Sequence, residues 1–145
     1  MPSNSSYIVH PSIFLKRGLV YAGISDKIEN IQTTSTNYSR FRSHYGTSPG
    51  VCAMCWNQIH NVLPTNMLYS HLLWALMFLK VYATEAVLSS KCGVDEKTYR
   101  SKVWIIVKAM ESIKGCVVSD SLGFILLYFI SSECLLVRSS INRSN

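Results

Sequence analysis

Charge is scarce in this chain of 145 residues. Charged residues make up 15% and hydrophobic ones 48%, a balance that excludes an intrinsically disordered polypeptide. Carboxylates are the rarer sign: eight Asp and Glu face fourteen Lys and Arg, for a net charge of +6. A basic surplus suits nucleic acid or an anionic membrane surface as partner. The five cysteines, Cys52, Cys55, Cys92, Cys116 and Cys134, are odd in number and lack a regular framework, which argues against a secreted disulfide scaffold. A reducing compartment and free thiols are expected. The opening stretch MPSNSSYIVHPSIFLKRG does not read as a signal peptide, because its apolar part is broken by Pro11 and its charges follow that part. Long apolar runs are missing too. In the carboxy-terminal segment, Leu122–Ile130 is a clean run of nine residues, where a membrane span needs about 20. Nucleophile elbow, P-loop and glycine-rich dinucleotide fingerprints are all absent.

What is present reads as helix. Residues 1–37 are polar and irregular, with clusters such as SNSS and QTTSTN, and read as an amino-terminal tail with at most a short helix near Asp26–Ile31. Residues 38–60 read as two short helices. Gly46 stops the first, and Ser48 caps the second with Pro49 at its first position. Val51, Cys55 and Ile59 recur every four residues beside Cys52 and Trp56, which makes a helical core stripe. After Pro64, HLLWALMFLK leaves almost no polar face. It is expected to be the buried central helix of a small bundle, with Ser70 as its cap.

The segment Thr84–Lys114 has helix-turn-helix spacing. Thr84 caps a short helix with Val87 and Leu88 expected inside, Cys92-Gly93-Val94 makes the turn, and Asp95 caps a longer helix. Leu88, Cys92, Val94 and Tyr99 occupy the positions that lock such helices together, and Ser89 is small enough for close approach. On a wheel of about 100° per residue, Tyr99, Val103, Ile106, Met110 and Ile113 face the bundle. Lys97, Arg100, Ser101, Trp104 and Lys108 face outward, with Lys102 at the edge. In this motif the amino-terminal half of the second helix enters the major groove. The cations and the hydroxyl there suit phosphate oxygens and base edges. A solvated basic face is the alternative reading of the same residues.

The phrases FRSHYGTSP, HLLWALMFLK and GVDEKTYR resemble the amino-terminal helical region of DDE-superfamily transposases of the Harbinger-like kind. The resemblance spans about residues 40–113. It implies an all-α helix-turn-helix region that binds duplex DNA at transposon ends, ahead of an RNase H-like catalytic domain. It also implies a nuclear location, with a cytoplasmic one otherwise. The resemblance favours DNA contact by Lys97, Arg100 and Lys102, although Ser101 and Lys102 depart from the basic-then-aromatic pair expected there. Ser101, Trp104 and Lys108 complete the candidate DNA-binding face, and Trp104 reads equally as packing on the helices of residues 38–60. Nothing after Lys114 resembles the catalytic domain. DDE chemistry gathers carboxylates around divalent ions, and only Asp120 and Glu133 follow. No enzymatic activity, cofactor or metal is therefore expected.

CAMC, Cys52 to Cys55, matches a redox or zinc pair. A zinc site needs two further ligands, and His44, His60 and His71 do not supply a second pair. Buried core is the expected role. Three other functions fit the chain as a whole. It would serve as a helical protein-interaction module or homodimer, as a tail-anchored, membrane-associated fragment led by residues 116–137 of the apolar tail 115–145, or as a non-functional transposon remnant.

Overall fold

Nine consecutive side chains, His71 to Leu79, are buried, so the helix that carries them must be wrapped on every side. The computed structural model describes residues 9–81 and 83–113. Among these residues there are six α-helices and no strand. They are α1 (Pro11–Tyr21), α2 (Ser35–Tyr45), α3 (Pro49–Ile59), α4 (Tyr69–Lys80), α5 (Glu85–Cys92) and α6 (Glu96–Ile113). The expected all-α class holds. The central helix is α4, which packs on α1, α2, α3, α5 and α6. The apolar segment 115–145 lies outside the described residues.

The first 37 residues differ from expectation. Pro11–Tyr21 is a full helix whose Phe14, Leu15 and Leu19 are completely buried. Burying side chains of this size is worth about 1.5–3 kcal/mol each, so α1 is a structural member of the bundle rather than a tail. His10 caps it, its Nδ1 accepting the Ser12 N–H (3.2 Å), with Pro11 at the first position. The helix has no room for side chains at Gly18: an added Cβ would collide with the Phe41 ring, and the Tyr45 hydroxyl donates to the Gly18 carbonyl at 2.6 Å. Polar flanks disguised α1, and its apolar residues define no single stripe: Phe14, Leu15 and Leu19 are buried while Ile13 is exposed. The short helix expected near Asp26–Ile31 is a single 3-10 turn, Ile28–Asn30.

Other boundaries follow local chemistry. Thr34 caps α2 by accepting the Asn37 N–H, and Gly46 ends that helix at φ 74°. Ser48 accepts the Val51 N–H (3.3 Å) and Pro49 opens α3, as expected. Cys52, Cys55, Trp56 and Ile59 form the buried stripe, with Val51 half-buried. At α4 the cap is not Ser70. The helix starts at Tyr69, two residues earlier than that cap implies, and the Leu68 N–H donates to Nδ1 of His71 at 2.9 Å.

Candidate nucleic-acid interface

The sequence Thr-Glu-Ala-Val-Leu forms α5 because the Thr84 hydroxyl accepts the Val87 N–H (3.3 Å) at its start. Leu88 and Ser89 turn inward. Val87 does not: it is 48% exposed, because only a narrow strip of so short a helix can meet the bundle. The helix ends at Gly93, held at φ 74°, a left-handed conformation that costs other residues about 1–2 kcal/mol. The Gly93 N–H reaches the Ser90 carbonyl at 3.1 Å and the Val94 N–H reaches the Ser89 carbonyl at 3.0 Å. These bonds satisfy the last turn of α5 and redirect the chain.

Asp95 then accepts the Thr98 N–H (3.2 Å) and starts α6. Its hydrogen bonds with Thr98 hold its carboxyl below its ordinary range. The inner side of α6 is Tyr99, Val103, Ile106 and Met110, as the wheel placed them, and Val107 and Ala109 are buried beside them. Tyr99 anchors the helix to α4, its ring stacked at 5.9 Å on Trp74 and its hydroxyl donating to the Trp74 carbonyl at 3.1 Å. The expected bend between two helices is therefore present, and α6 is fixed against the core along its apolar side.

Four of the six expected contact residues lie on the solvent side of α6: Lys97, Arg100, Ser101 and Lys108 are exposed. Exposed Thr98 joins them, as does Lys91 at the end of α5. Lys97, Ser101 and Lys108 form a stripe at helical spacing. Neither lysine makes an ion pair among the described residues. The other two expected contacts lie at the margin of that face. Trp104 is half-buried, its ring 5.9 Å from Phe78 of α4 and edge-on to it at 65°. The indole is long enough to cover Phe78, and burying its large apolar area outweighs leaving it in water. Lys102 is also half-buried, on the α4 side, where its charge acts on His71. Burial first, and that lysine second, push the His71 imidazole down to about 4.

Arg100 has a partner that the sequence did not reveal. Its Nε donates to Oε2 of Glu85 at 2.7 Å, and its Nη2 lies 2.6 Å from the same oxygen. The Glu85 side chain is 7% exposed and that of Arg100 is 53% exposed. The pair ties the first turn of α5 to the second turn of α6 across the bend. Its hydrogen bonds with Glu85 also hold the guanidinium's proton affinity above its ordinary value. The only sequence signal was one acid at the start of α5 and one arginine fifteen positions on, a separation no local pattern covers.

Two other regions carry chemistry-bearing residues. Arg40 and Arg42 are exposed on α2. Arg42 lines a shallow cleft with Ser35, Tyr38, Ser39 and Ser48, without a carboxylate. A larger groove, about 580 Å³, lies between Trp56, His60, Leu63, Met67 and Leu68. The thiols of CAMC are both buried, and burial pushes Cys55 up to about 12 and Cys52 up as well. Among the described residues no group of three or more His, Cys, Asp or Glu is arranged to hold a metal ion. Also among them, no helix is long and apolar enough to cross a membrane.

Comparison of the chain with models of protein families, with curated proteins and with solved structures finds no match.

Proposed function

We propose that this chain is a helix-turn-helix DNA-binding module, akin to the end-binding part of a DDE transposase, that holds duplex DNA without cleaving it. The observation that carries the reading is the stripe of Lys97, Ser101 and Lys108. It stands in solvent on the second helix of a bend closed by Gly93, and among the described residues neither lysine is consumed by an ion pair. Docking is electrostatic. Lysines meet backbone phosphates and displace counterions, while Ser101 and Thr98 supply hydroxyls near the amino-terminal end of α6. The positive end of the helix dipole adds to the field there. The test is a gel-shift titration on random-sequence duplex at two salt concentrations. Affinity should fall steeply with salt. Lys97→Ala with Lys108→Ala should weaken binding and reduce the salt slope by about two. Unchanged affinity and slope in that double variant at low salt would refute the assignment of this face.

A homodimer is the second reading, and Val87 favours it: a branched apolar side chain left 48% exposed on the first turn of α5. Self-association in sedimentation velocity that is insensitive to salt, without any duplex shift, would select it over the first.

A further inference from the structure

Arg100 differs in kind from the lysines around it. A lysine on a helix face is a point charge on a flexible stem. Arg100 instead has its guanidinium gripped by Glu85, a carboxylate almost wholly withdrawn from water. The grip uses the Nε–H and one Nη2–H, both directed to a single oxygen, Oε2. The second Nη2–H and both Nη1–H groups are not used by that contact. The end-on edge of the guanidinium, Nη1 with Nη2, is therefore whole, and the side chain is 53% exposed. That edge is a two-pronged donor of the width that matches the paired acceptors O6 and N7 of guanine in the major groove.

The pair also lowers the cost of using that edge. Ordering a free arginine side chain on binding costs rotamer entropy. Here the ion pair to Glu85 orders it before any ligand arrives. Glu85 is itself held in place as the first residue of α5, directly after the Thr84 cap. The carboxylate is buried while half of the arginine side chain stays in solvent, so the guanidinium is held at the boundary of the bundle.

We infer that Arg100 is the base-reading residue of this interface, selecting a G·C pair in duplex DNA, and that Glu85 is the residue that positions it. Lys97 and Lys108 then supply sequence-independent backbone affinity. This assignment rests on the DNA-binding reading above and sharpens it by separating specificity from affinity within one helix face.

The experiment is selection from a random-sequence duplex library with the full chain, followed by competition titrations of the selected site against random duplex. The wild-type chain should enrich one fixed G·C position. Arg100→Lys keeps the charge and loses the fork. It should lower the ratio of selected-site to random-duplex affinity by about fivefold to a hundredfold, the range of one bidentate base contact. Glu85→Gln keeps an acceptor and loses the charge. It should lower the same ratio by a smaller factor, with the salt slope unchanged, a readout that a purely structural role for Glu85 would not move. Should Glu85→Gln fail to fold by circular dichroism, Arg100→Lys alone decides. Duplex binding that selects no G·C position, or a ratio unaltered in Arg100→Lys, overturns the inference and leaves the module reading standing. Failure of the wild-type chain to bind any duplex at low salt overturns the module reading itself.

Discussion

The two helices in most intimate contact, α4 and α6, use their surfaces in opposite ways. Every residue of α4 from His71 to Leu79 is buried, and its exposed end is Lys80. α6 buries six residues, Tyr99, Val103, Ile106, Val107, Ala109 and Met110, and leaves Glu96, Lys97, Thr98, Arg100, Ser101, Lys108, Glu111 and Ser112 in water. α4 has no side left for a partner, so changes in it should appear as stability. α6 has one side packed on the core and one side exposed, so changes at its outer lysines should appear as binding. The contrast separates the residues that hold the bundle together from those available to act.

That contrast is breakable by measurement. The largest effect belongs to α4. Leu73→Ala removes a fully buried side chain and should cost about 2–5 kcal/mol in denaturant unfolding, enough to unfold a marginal domain. A loss below about 1 kcal/mol would mean that the helix is less enclosed than described. Next is His71, the one titratable residue in the buried run. Its imidazole is held down at about 4 by burial and by Lys102, and its unprotonated Nδ1 accepts the Leu68 N–H. The unfolded chain takes up a proton near pH 6.5, the folded one only near 4. Stability should therefore be flat above about pH 6.5 and fall as pH drops from there toward 4. Thermal melts of wild type and His71→Gln across that window check it, since the variant should lack this part of the slope.

Smaller effects lie at the bend and on the outer side of α6. Gly93→Ala forces a side chain into φ 74° and should cost about 1–2 kcal/mol, with nothing within 4 Å of the added Cβ to increase it. It should also weaken duplex binding by tilting α6, a coupling absent from Leu73→Ala once the loss of folded fraction is corrected for. The smallest stability effect is expected for Lys97→Ala with Lys108→Ala, within about 0.5 kcal/mol of wild type. A larger loss from these exposed lysines would mean that they are part of the packing, and the division between the two helices would fail.

Much of this fold was readable because local rules and global packing agree. Ser48-Pro49, Thr84 and Asp95 cap the helices they were expected to cap, since a side-chain oxygen two or three residues ahead of an unpaired N–H is a local event. Gly46 and Gly93 end helices for a reason equally local. The inward side of α6 followed from the 3.6-residue period. The errors share the opposite cause. α1 was missed because its flanks are polar and its apolar residues form no clean stripe; they gain their value by packing on α2, α3 and α4. Val87 was placed inside because a two-turn helix offers too few residues to define its buried side.

By itself, then, the sequence determined helix against strand, the bend at Gly93 and which residues of α6 are cationic and outward, because each depends on neighbours a few positions away. Only the tertiary structure decided what each outward residue is free to do. It drew Trp104 onto Phe78, put Lys102 beside His71 and joined Arg100 to Glu85. Those contacts depend on where α4 and α5 cross α6, and a crossing is set by the volumes of the whole core rather than by any single stretch of chain.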